Sequence, residues 1–308
     1  MGGTICEDAR VMDEARSKAW SGDQIERWLR QAAGLERQLA PVSEHLLAAA
    51  RLSPGESVLD VGCGTGPTTY AAAQAVGPTG RVCGLDVSGK MLVAAAGAAM
   101  SHPGAGAPAP IDWVEADAVT WEPEVARYDA IISRFGVMFF SDPPAAFSHL
   151  AQATRDGGRL ALAVWQRRDN SALFSVSLHA ALDVLRSRGI RSSEAGVDLD
   201  NFVATDDEGP FSLHDPVAVR SLLDRAGWSD IAIKHHMLAL PFAGGAPPAA
   251  AAKAALDFGP TRLLMSGVDD DVVRAAEGAI SEAFADHIND EGYVMLSGAI
   301  NLVTATRR

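Results

Sequence analysis

Three glycines alternate with small residues directly after a short apolar stretch. Gly62, Gly64 and Gly66 follow residues 58–61, which predict a buried strand, and the alanine-rich residues 70–76 predict a helix. Glycine allows positive φ and has no Cβ, so a ligand can approach the backbone closely. The start of a helix presents free N–H groups and a partial positive charge. The pattern predicts a nucleotide or cofactor cradle, and the alternative is a glycine turn without a ligand.

The spacing of the glycines separates two kinds of cradle. Dinucleotide-binding loops follow G-x-G-x-x-G, but Pro67 occupies the position of the third glycine. Asp60 stands just before the loop, and Asp86 ends the next predicted strand, residues 81–86, about one helix and turn later. A carboxylate in that place accepts hydrogen bonds from ribose hydroxyls. The alternative role for Asp86 is an N-cap of the following helix.

The run from Leu59 to Gly66 resembles motif I of the class I S-adenosylmethionine (SAM) methyltransferases. Residues 133–140 resemble the ubiquinone/menaquinone-biosynthesis-like small-molecule group of that family. The resemblance is specific from Val58 to Trp165 and looser beyond. It implies an α/β, Rossmann-like, doubly wound fold with a seven-stranded sheet, an antiparallel last strand and helical lid and cap insertions. It also implies SAM as cofactor and S-adenosylhomocysteine as product, with acceptors such as quinones, polyketides, amines or terpenoid precursors.

The resemblance places cofactor contacts in the loops at the strand ends. Asp117 is implied to accept from the adenine amino group, and a solvated turn aspartate is the alternative. Trp20 and Trp28 lie in a segment that covers the cofactor in that group, and the alternative is packing of an N-terminal helix. The complete set expected to contact the cofactor is Trp20, Trp28, Asp60, Gly62, Cys63, Gly64, Gly66, Asp86, Val87, Met91, Asp117, Ala118 and Ser133.

The acceptor is expected beside the segment that follows the fourth predicted strand, because ligands of doubly wound folds lie beyond the carboxyl ends of the strands. Arg134, Phe135 and Met138 are expected to form the floor of the acceptor site. Phe174 and Phe202, from the insertion after the fifth strand, are expected to cover it. Arg134 would either orient an anionic acceptor or form a structural salt bridge. Two further aromatic residues are expected to pack in the core, Phe139 and Phe140.

Methyl transfer from a sulfonium is an in-line displacement that depends mainly on holding the reactants in line. A base is needed only if the nucleophile carries a proton at neutral pH. His214 and His179 are the candidates for that base, because they lie in the predicted acceptor cap. The acidic runs 206–208 and 269–271 are interpreted as solvated carboxylates, and no metal is predicted.

The chain divides into four predicted parts. Residues 1–50 form an N-terminal helical lid with breaks near Ser21-Gly22 and Gly34, and residues 51–166 form the SAM-binding core. Residues 167–216 form an acceptor cap. Residues 217–308 complete the sheet and contain a helical insertion at 243–290.

The composition of the chain limits the kinds of partner that the protein is expected to bind. The formal net charge of −13 argues against a nucleic-acid partner, which needs a basic surface. No stretch has the apolar length of a membrane span. The three cysteines include no C-x-x-C pair, which fits a reducing cytoplasm. The expected partner is therefore a small-molecule acceptor, in a cytoplasmic enzyme that can form a homodimer.

Two other functions compete with methyl transfer. A short-chain nicotinamide oxidoreductase needs Tyr-x-x-x-Lys, but the residues four positions after the three tyrosines are Gln74, Ile132 and Ser297. The second alternative is an enzyme of this fold that binds SAM and catalyses a reaction other than methylation. The sequence leaves that alternative open.

Overall fold

The structure is a computed structural model that describes residues 23–98, 107–191, 209–257 and 259–308 of the chain. Trp20 and Phe202 lie outside the described residues, and so does the side chain of Trp28. The strands are β1 Ser57–Val61, β2 Arg81–Asp86, β3 Ile111–Glu115, β4 Tyr128–Arg134, β5 Thr154–Trp165, β6 Trp228–Pro241 and β7 Met295–Arg307.

Helices connect and cover these strands. The helices are α1 Asp23–Ala50, α2 Pro67–Val76, α3 Gly89–Ala98, α4 Pro143–Ala153, α5 Ala172–Ser187, α6 Pro216–Arg225, α7 Pro248–Leu256, α8 Gly259–Leu264 and α9 Asp270–Ala285. A short 3₁₀ turn, Gly136–Phe139, follows β4 after the single residue Phe135.

The seven strands form one sheet in the order β3-β2-β1-β4-β5-β7-β6. Strands β1 to β5 pair in parallel, whereas β7 is antiparallel to both β5 and β6. The order reverses direction at β1, where β2 lies on one side and β4 on the other. This is the topological switch point at which open α/β sheets bind ligands. The predicted fold class is confirmed, including the antiparallel last strand.

The predicted helix break at Gly34 is wrong. Helix α1 runs without interruption through Gly34 and also contains Pro41. Gly34 instead faces the turn after β6, where a Cβ would lie 3.5 Å from the Ala243 carbonyl oxygen. The side-chain oxygen of Gln38 accepts a hydrogen bond of 2.9 Å from the Ala243 N–H. Helix α1 therefore packs against this turn at Gly34, where an added Cβ would make an ordinary van der Waals contact.

Strand β5 begins at Thr154, six residues before the apolar run that starts at Leu160. Gly157, with φ of 71°, lies inside the strand, and the pairing of β4 with β5 is irregular between Tyr128 and Ala130. The glycines therefore bend a longer strand and do not precede a shorter one.

The core lies on both faces of the central strands. Val58, Leu59, Ile131 and Leu160 are almost fully buried, as expected for parallel strands covered by helices on both sides. Within the described parts of the chain, no helix combines the length and the apolar character needed to cross a membrane.

Candidate active site

A cleft opens at the carboxyl ends of β1, β2, β3 and β4. It contains about 1010 Å³ of empty space, part of which is open to solvent. Seven of the residues expected to contact the cofactor line it, together with two of those expected to contact the acceptor: Gly62, Gly64, Asp86, Val87, Met91, Asp117, Ala118, Arg134 and Phe135. The predicted cofactor cradle and the predicted acceptor floor therefore share one cleft.

The glycine loop lies between β1 and α2, and its glycines differ in the space around them. All three have positive φ, at 66° for Gly62, 56° for Gly64 and 81° for Gly66. A Cβ on Gly62 would lie 2.5 Å from the Gly136 Cα, whereas a Cβ on Gly64 would meet nothing within 4 Å. Gly62 is thus required by packing against the chain, and Gly64 leaves space for a ligand.

Asp86 connects the end of β2 to the glycine loop. One carboxylate oxygen accepts from the Gly64 N–H at 2.8 Å, and the other accepts from the Ser88 N–H at 2.9 Å. Burial raises the pKa of this carboxyl, although these backbone hydrogen bonds oppose the shift. Asp86 therefore lines the cleft and also holds the backbone just before α3, and its contact with a ribose stays a prediction.

Asp117 and its neighbours form the wall at the end of β3. One Asp117 carboxylate oxygen accepts from the Val119 N–H at 2.9 Å, which makes a local turn. Ala118 is buried, and Met91 on α3 is buried beside the cleft. Val87 has 41% of its surface exposed. This wall is mostly apolar and carries one carboxylate, as a binding site for a planar base would.

Asp60 does not line the cleft. Its side chain is fully buried, and one oxygen accepts hydrogen bonds from the hydroxyls of Thr68 at 2.6 Å and Thr69 at 2.7 Å. The other oxygen has no hydrogen-bond partner among the described residues. Burial raises the pKa of Asp60 to about 6, although both hydroxyls oppose the shift. Asp60 thus fastens the start of α2 beneath the glycine loop.

Asp60→Asn is expected to stabilise the protein at neutral pH. Each pKa unit corresponds to about 1.4 kcal/mol, so a pKa raised from 3.8 to about 6 means that the charged carboxylate costs about 3 kcal/mol in the folded state. Folding is favoured when Asp60 is protonated, and this contribution is lost as pH rises through 6. Urea unfolding should therefore give the variant the higher free energy of unfolding at pH 7. The difference should shrink toward pH 4, and a lower stability at pH 7 would contradict the assignment.

Three other predicted cofactor residues also lie behind the cleft. Ser133 is fully buried, and its hydroxyl donates to the Val61 carbonyl oxygen at 2.6 Å. Cys63 is buried, and burial raises the pKa of its thiol, so the thiol stays protonated. Gly66 precedes α2, and a Cβ there would lie 2.6 Å from the Trp113 ring. These residues shape the loop from below and do not reach its ligand face.

Arg134 lines the cleft but is held by helix α1. Its guanidinium forms an ion pair with Glu36 at 2.8 Å and donates to the Ser43 hydroxyl at 2.6 Å. Only 11% of the Arg134 side chain is exposed, compared with 37% of the Glu36 side chain. Of the two roles that the sequence suggests, the structure contains the salt bridge, which fastens α1 to the end of β4.

Aromatic side chains line the side of the cleft next to β4. Phe135, Phe139 and Phe140 all border it, so the prediction that Phe139 and Phe140 only pack in the core is incomplete. Met138 is buried, and its sulfur accepts from the Trp165 N–H at 3.4 Å. Phe174 is buried against Trp165, with ring centroids 5.1 Å apart. Met138 and Phe174 therefore support the wall from behind.

Neither histidine proposed as a base lines the cleft. His214 is half-buried, and its Nδ1 lies 2.9 Å from the Phe211 carbonyl oxygen. His179 is exposed on α5. No group of three or more His, Cys, Asp or Glu side chains is placed to hold a metal ion within the described ranges.

The sequence reasoning missed Gly136 and the partners of Arg134. Gly136 packs so closely that a Cβ there would lie 2.6 Å from both the Gly62 Cα and the Val61 carbonyl oxygen. The available signal was the glycine directly after Arg134-Phe135, at the carboxyl end of a predicted strand. Glu36 and Ser43 had no local signal, because they lie about a hundred residues away along the chain.

Comparisons with known proteins agree with this geometry. Residues 58–158 match the methyltransferase domain family. The chain is 29% identical over 120 residues to 2-phytyl-1,4-naphtoquinone methyltransferase of Synechocystis, covering 39% of this chain and 49% of that protein. It is 33% identical over 122 residues to nocamycin O-methyltransferase of Saccharothrix syringae, covering 40% of this chain and 42% of that protein. It is 28% identical over 144 residues to the ubiquinone/menaquinone biosynthesis C-methyltransferase of Hahella chejuensis, covering 46% of this chain and 57% of that protein.

The family match covers the part of the chain that builds the cleft. The chain spans about half the length of these curated relatives. The matched domain begins in β1, contains the glycine loop and Asp86, and ends inside β5. Residues 58–158 therefore match the methyltransferase domain family, and they form the cleft of a seven-stranded Rossmann-like sheet.

Proposed function

We propose that the protein binds SAM in this cleft and transfers its methyl group to a small-molecule acceptor. The observation that carries the proposal is the alignment of Gly64, Asp86 and Asp117 along one cleft at the carboxyl ends of β1, β2 and β3. These three positions offer a ligand close approach to the backbone, an acceptor for sugar hydroxyls and a flat apolar surface with a carboxylate. An adenosyl group linked to an amino acid can use all three.

The residues present fit this cofactor. Gly64 leaves open space above the loop, and the Asp86 carboxylate lines the cleft, where it can accept a hydrogen bond from a ribose hydroxyl. The walls formed by Val87, Met91 and Ala118 can enclose an adenine ring. Pockets for small ligands generally combine apolar walls with few polar groups in this way.

The chain's contribution to catalysis would be orientation. SAM, when bound, supplies an electrophilic methyl group on a positively charged sulfur. Asp86 and the loop hold the nucleoside end, so that nucleophile, methyl and sulfur can lie in line, and well-oriented reactions reach effective molarities of roughly 10⁵–10⁸ M. Phe139 on the cleft wall would exclude water from the reacting atoms.

The acceptor is proposed to lie between the aromatic wall and the cap at residues 167–216. A described hydrogen bond joins this cap to the segment after β4, and a ring contact joins two parts of the cap. The Ser212 hydroxyl donates to the Met138 carbonyl oxygen at 2.6 Å, and the Phe211 and Phe174 rings meet edge to face at 5.1 Å. The curated relatives are named for a naphthoquinone, nocamycin and quinone biosynthesis. These names and the aromatic wall favour an apolar, ring-containing acceptor, as found in quinone-type or secondary metabolism.

Several wider features of the proposal come from composition and from the parts of the chain around the core. The net charge of −13 works against binding of nucleic acid. A cytoplasmic location and a homodimer are proposed with it. Residues 1–50 are proposed as the lid, with helix α1 fastened to the cleft through Arg134 and Glu36.

Isothermal titration calorimetry should show binding of SAM at least about tenfold tighter than binding of NAD, a difference of about 1.4 kcal/mol. The physical reason is that Pro67 replaces the third glycine that a dinucleotide-binding loop needs. Tighter binding of NAD would reject the proposal. Incubation with SAM and a panel of quinols, phenols and amines should then yield S-adenosylhomocysteine and a methylated product, identified by mass spectrometry.

A further inference from the structure

Phe135 occupies a particular position between the two halves of the cleft. It follows β4 directly, and the next residue, Gly136, packs against Gly62 of the glycine loop. Asp86 and Asp117 lie at the ends of β2 and β3, on the opposite side of β1 from β4. A cofactor whose nucleoside end is held by these carboxylates must therefore extend across the glycine loop toward Phe135.

The backbone of Phe135 is strained. Its φ of 67° and ψ of −3° lie in the left-handed region, which a bulky side chain rarely adopts. Three contacts hold it there. Its N–H donates to the Ala163 carbonyl oxygen at 2.9 Å, its ring stacks on Trp165 with centroids 4.0 Å apart and planes inclined by 9°, and Gly136 is wedged against Gly62. Strain that the surroundings enforce at a cleft wall indicates a functional requirement.

The stacking also limits what Phe135 can present to a ligand. Trp165 covers one face of the ring, and the edge of Phe174 packs against Trp165 at 87°. The Phe135 ring is therefore clamped within an aromatic column while the residue still lines the cleft. The face of the Phe135 ring opposite Trp165 carries the negative end of the ring quadrupole, which attracts a cation.

The charges around the cleft also suit a cation. Asp86 and Asp117 both line it. Arg134 is the one cationic side chain among the described residues that line the cleft, and its ion pair with Glu36 at 2.8 Å offsets its charge. A positively charged ligand group beside Phe135 would thus meet an aromatic face in a cleft that also carries two carboxylates.

We propose that the Phe135 ring contacts the sulfonium and its methyl group, and that it makes the site prefer cationic SAM to neutral S-adenosylhomocysteine. This inference rests on the proposed function, and it assigns to one side chain a specificity that the adenosine contacts cannot provide. SAM and S-adenosylhomocysteine have the same adenosine and amino-acid parts, so hydrogen bonds to those parts bind them equally. An aromatic face distinguishes them by charge and weakens the hold on the product after methyl transfer.

The test measures the dissociation constants of SAM and S-adenosylhomocysteine by calorimetry for the wild-type protein and for Phe135→Leu. Loss of the ring should weaken SAM binding by about 3- to 30-fold, the range of a cation–π contact, and should change S-adenosylhomocysteine binding by less than about twofold. Phe135→Tyr keeps the aromatic face and should keep the wild-type ratio of the two constants. Phe140→Leu is the matched control, because Phe140 also lines the cleft but its ring packs on Phe147. Its ratio should stay unchanged.

A second variant guards against misfolding. Asparagine accepts the left-handed region more readily than leucine does, so Phe135→Asn removes the ring with less backbone strain. Thermal unfolding scans identify which variants fold, and the folded one decides the test. Equal weakening of both ligands, or no change in either constant, overturns the role of Phe135 and leaves the proposed function intact. Failure of the wild-type protein to bind either ligand overturns the proposed function itself.

Discussion

Gly136→Ala is expected to lower the free energy of unfolding by about 3 kcal/mol or more, because its methyl group has no space to enter. The new Cβ would lie 2.6 Å from the Gly62 Cα and 2.6 Å from the Val61 carbonyl oxygen. Both obstacles are backbone atoms at the end of a central strand, so neither can move aside as a flexible side chain could. Overpacking of this kind costs roughly 1–3 kcal/mol where side chains can adjust, and more where they cannot.

Urea unfolding of Gly136→Ala, Gly62→Ala and Gly64→Ala would separate folding from binding. Gly62→Ala should behave like Gly136→Ala, because its Cβ would lie 2.5 Å from the Gly136 Cα. Gly64→Ala is the control, since its Cβ would meet nothing within 4 Å. It should lose only about 1 kcal/mol, from the positive φ. It should nevertheless weaken SAM binding at least about tenfold, because its methyl group enters the cleft beside the loop.

The opposite pattern would contradict this division of roles. If Gly64→Ala unfolds as readily as Gly136→Ala, the loop tolerates no side chain at any of its glycines. The glycines would then carry no information about the ligand. If Gly136→Ala keeps wild-type stability, the close contact between the loop and the turn after β4 is not a constraint. In that case the strain at Phe135 would also need another explanation.

The main elements of the fold could be predicted because their signals are local. Glycines at Gly62 and Gly64 between an apolar strand and an alanine-rich helix specify a strand, a turn and a helix start. Once β1 and its loop are placed, short connections restrict where the next strand can pair. Asp86 therefore reaches the edge of the loop from its position at a strand end, with no information from distant parts of the chain.

The direction of individual side chains at the loop could not be predicted so easily. Asp60 and Ser133 lie in strands that are buried on both faces, so apolar character does not tell which face points at the ligand. Both face inward and fasten neighbouring backbone or helix. For Asp60 a signal existed, because Thr68 and Thr69 place two hydroxyl donors at the start of the next helix.

Contacts between residues far apart in the sequence explain the other features that could not be predicted. Gly34 looks like a helix breaker until the turn at Ala243, which comes from a distant part of the chain, is packed against it. The partner of Arg134 is likewise set by tertiary structure, because Glu36 lies on the first helix. In both cases the residue type is visible in the sequence, but the contact that gives it meaning depends on how α1 lies across the sheet.

Asp86→Ala is expected to weaken SAM binding by about 1.5–3 kcal/mol, which is roughly a 10- to 150-fold rise in the dissociation constant. The variant removes a charged acceptor for ribose hydroxyls, and it also removes the bond of 2.8 Å that holds the Gly64 N–H. Calorimetry alone cannot separate these two losses. The separation requires a ligand that lacks the hydroxyls, such as the 2′,3′-dideoxyribose form of S-adenosylhomocysteine.

A double comparison of protein and ligand therefore decides the role of Asp86. If the carboxylate accepts from the ribose, Asp86→Ala should weaken binding of S-adenosylhomocysteine strongly and binding of the dideoxy form only slightly. Equal weakening of both would mean that Asp86 acts only by holding the loop.

Asp86→Asn adds a measurement of stability, because burial raises the pKa of Asp86 and the charged carboxylate therefore costs folding free energy at neutral pH. The unliganded Asn variant should thus unfold at the same urea concentration as the wild type or a higher one, while it binds SAM more weakly.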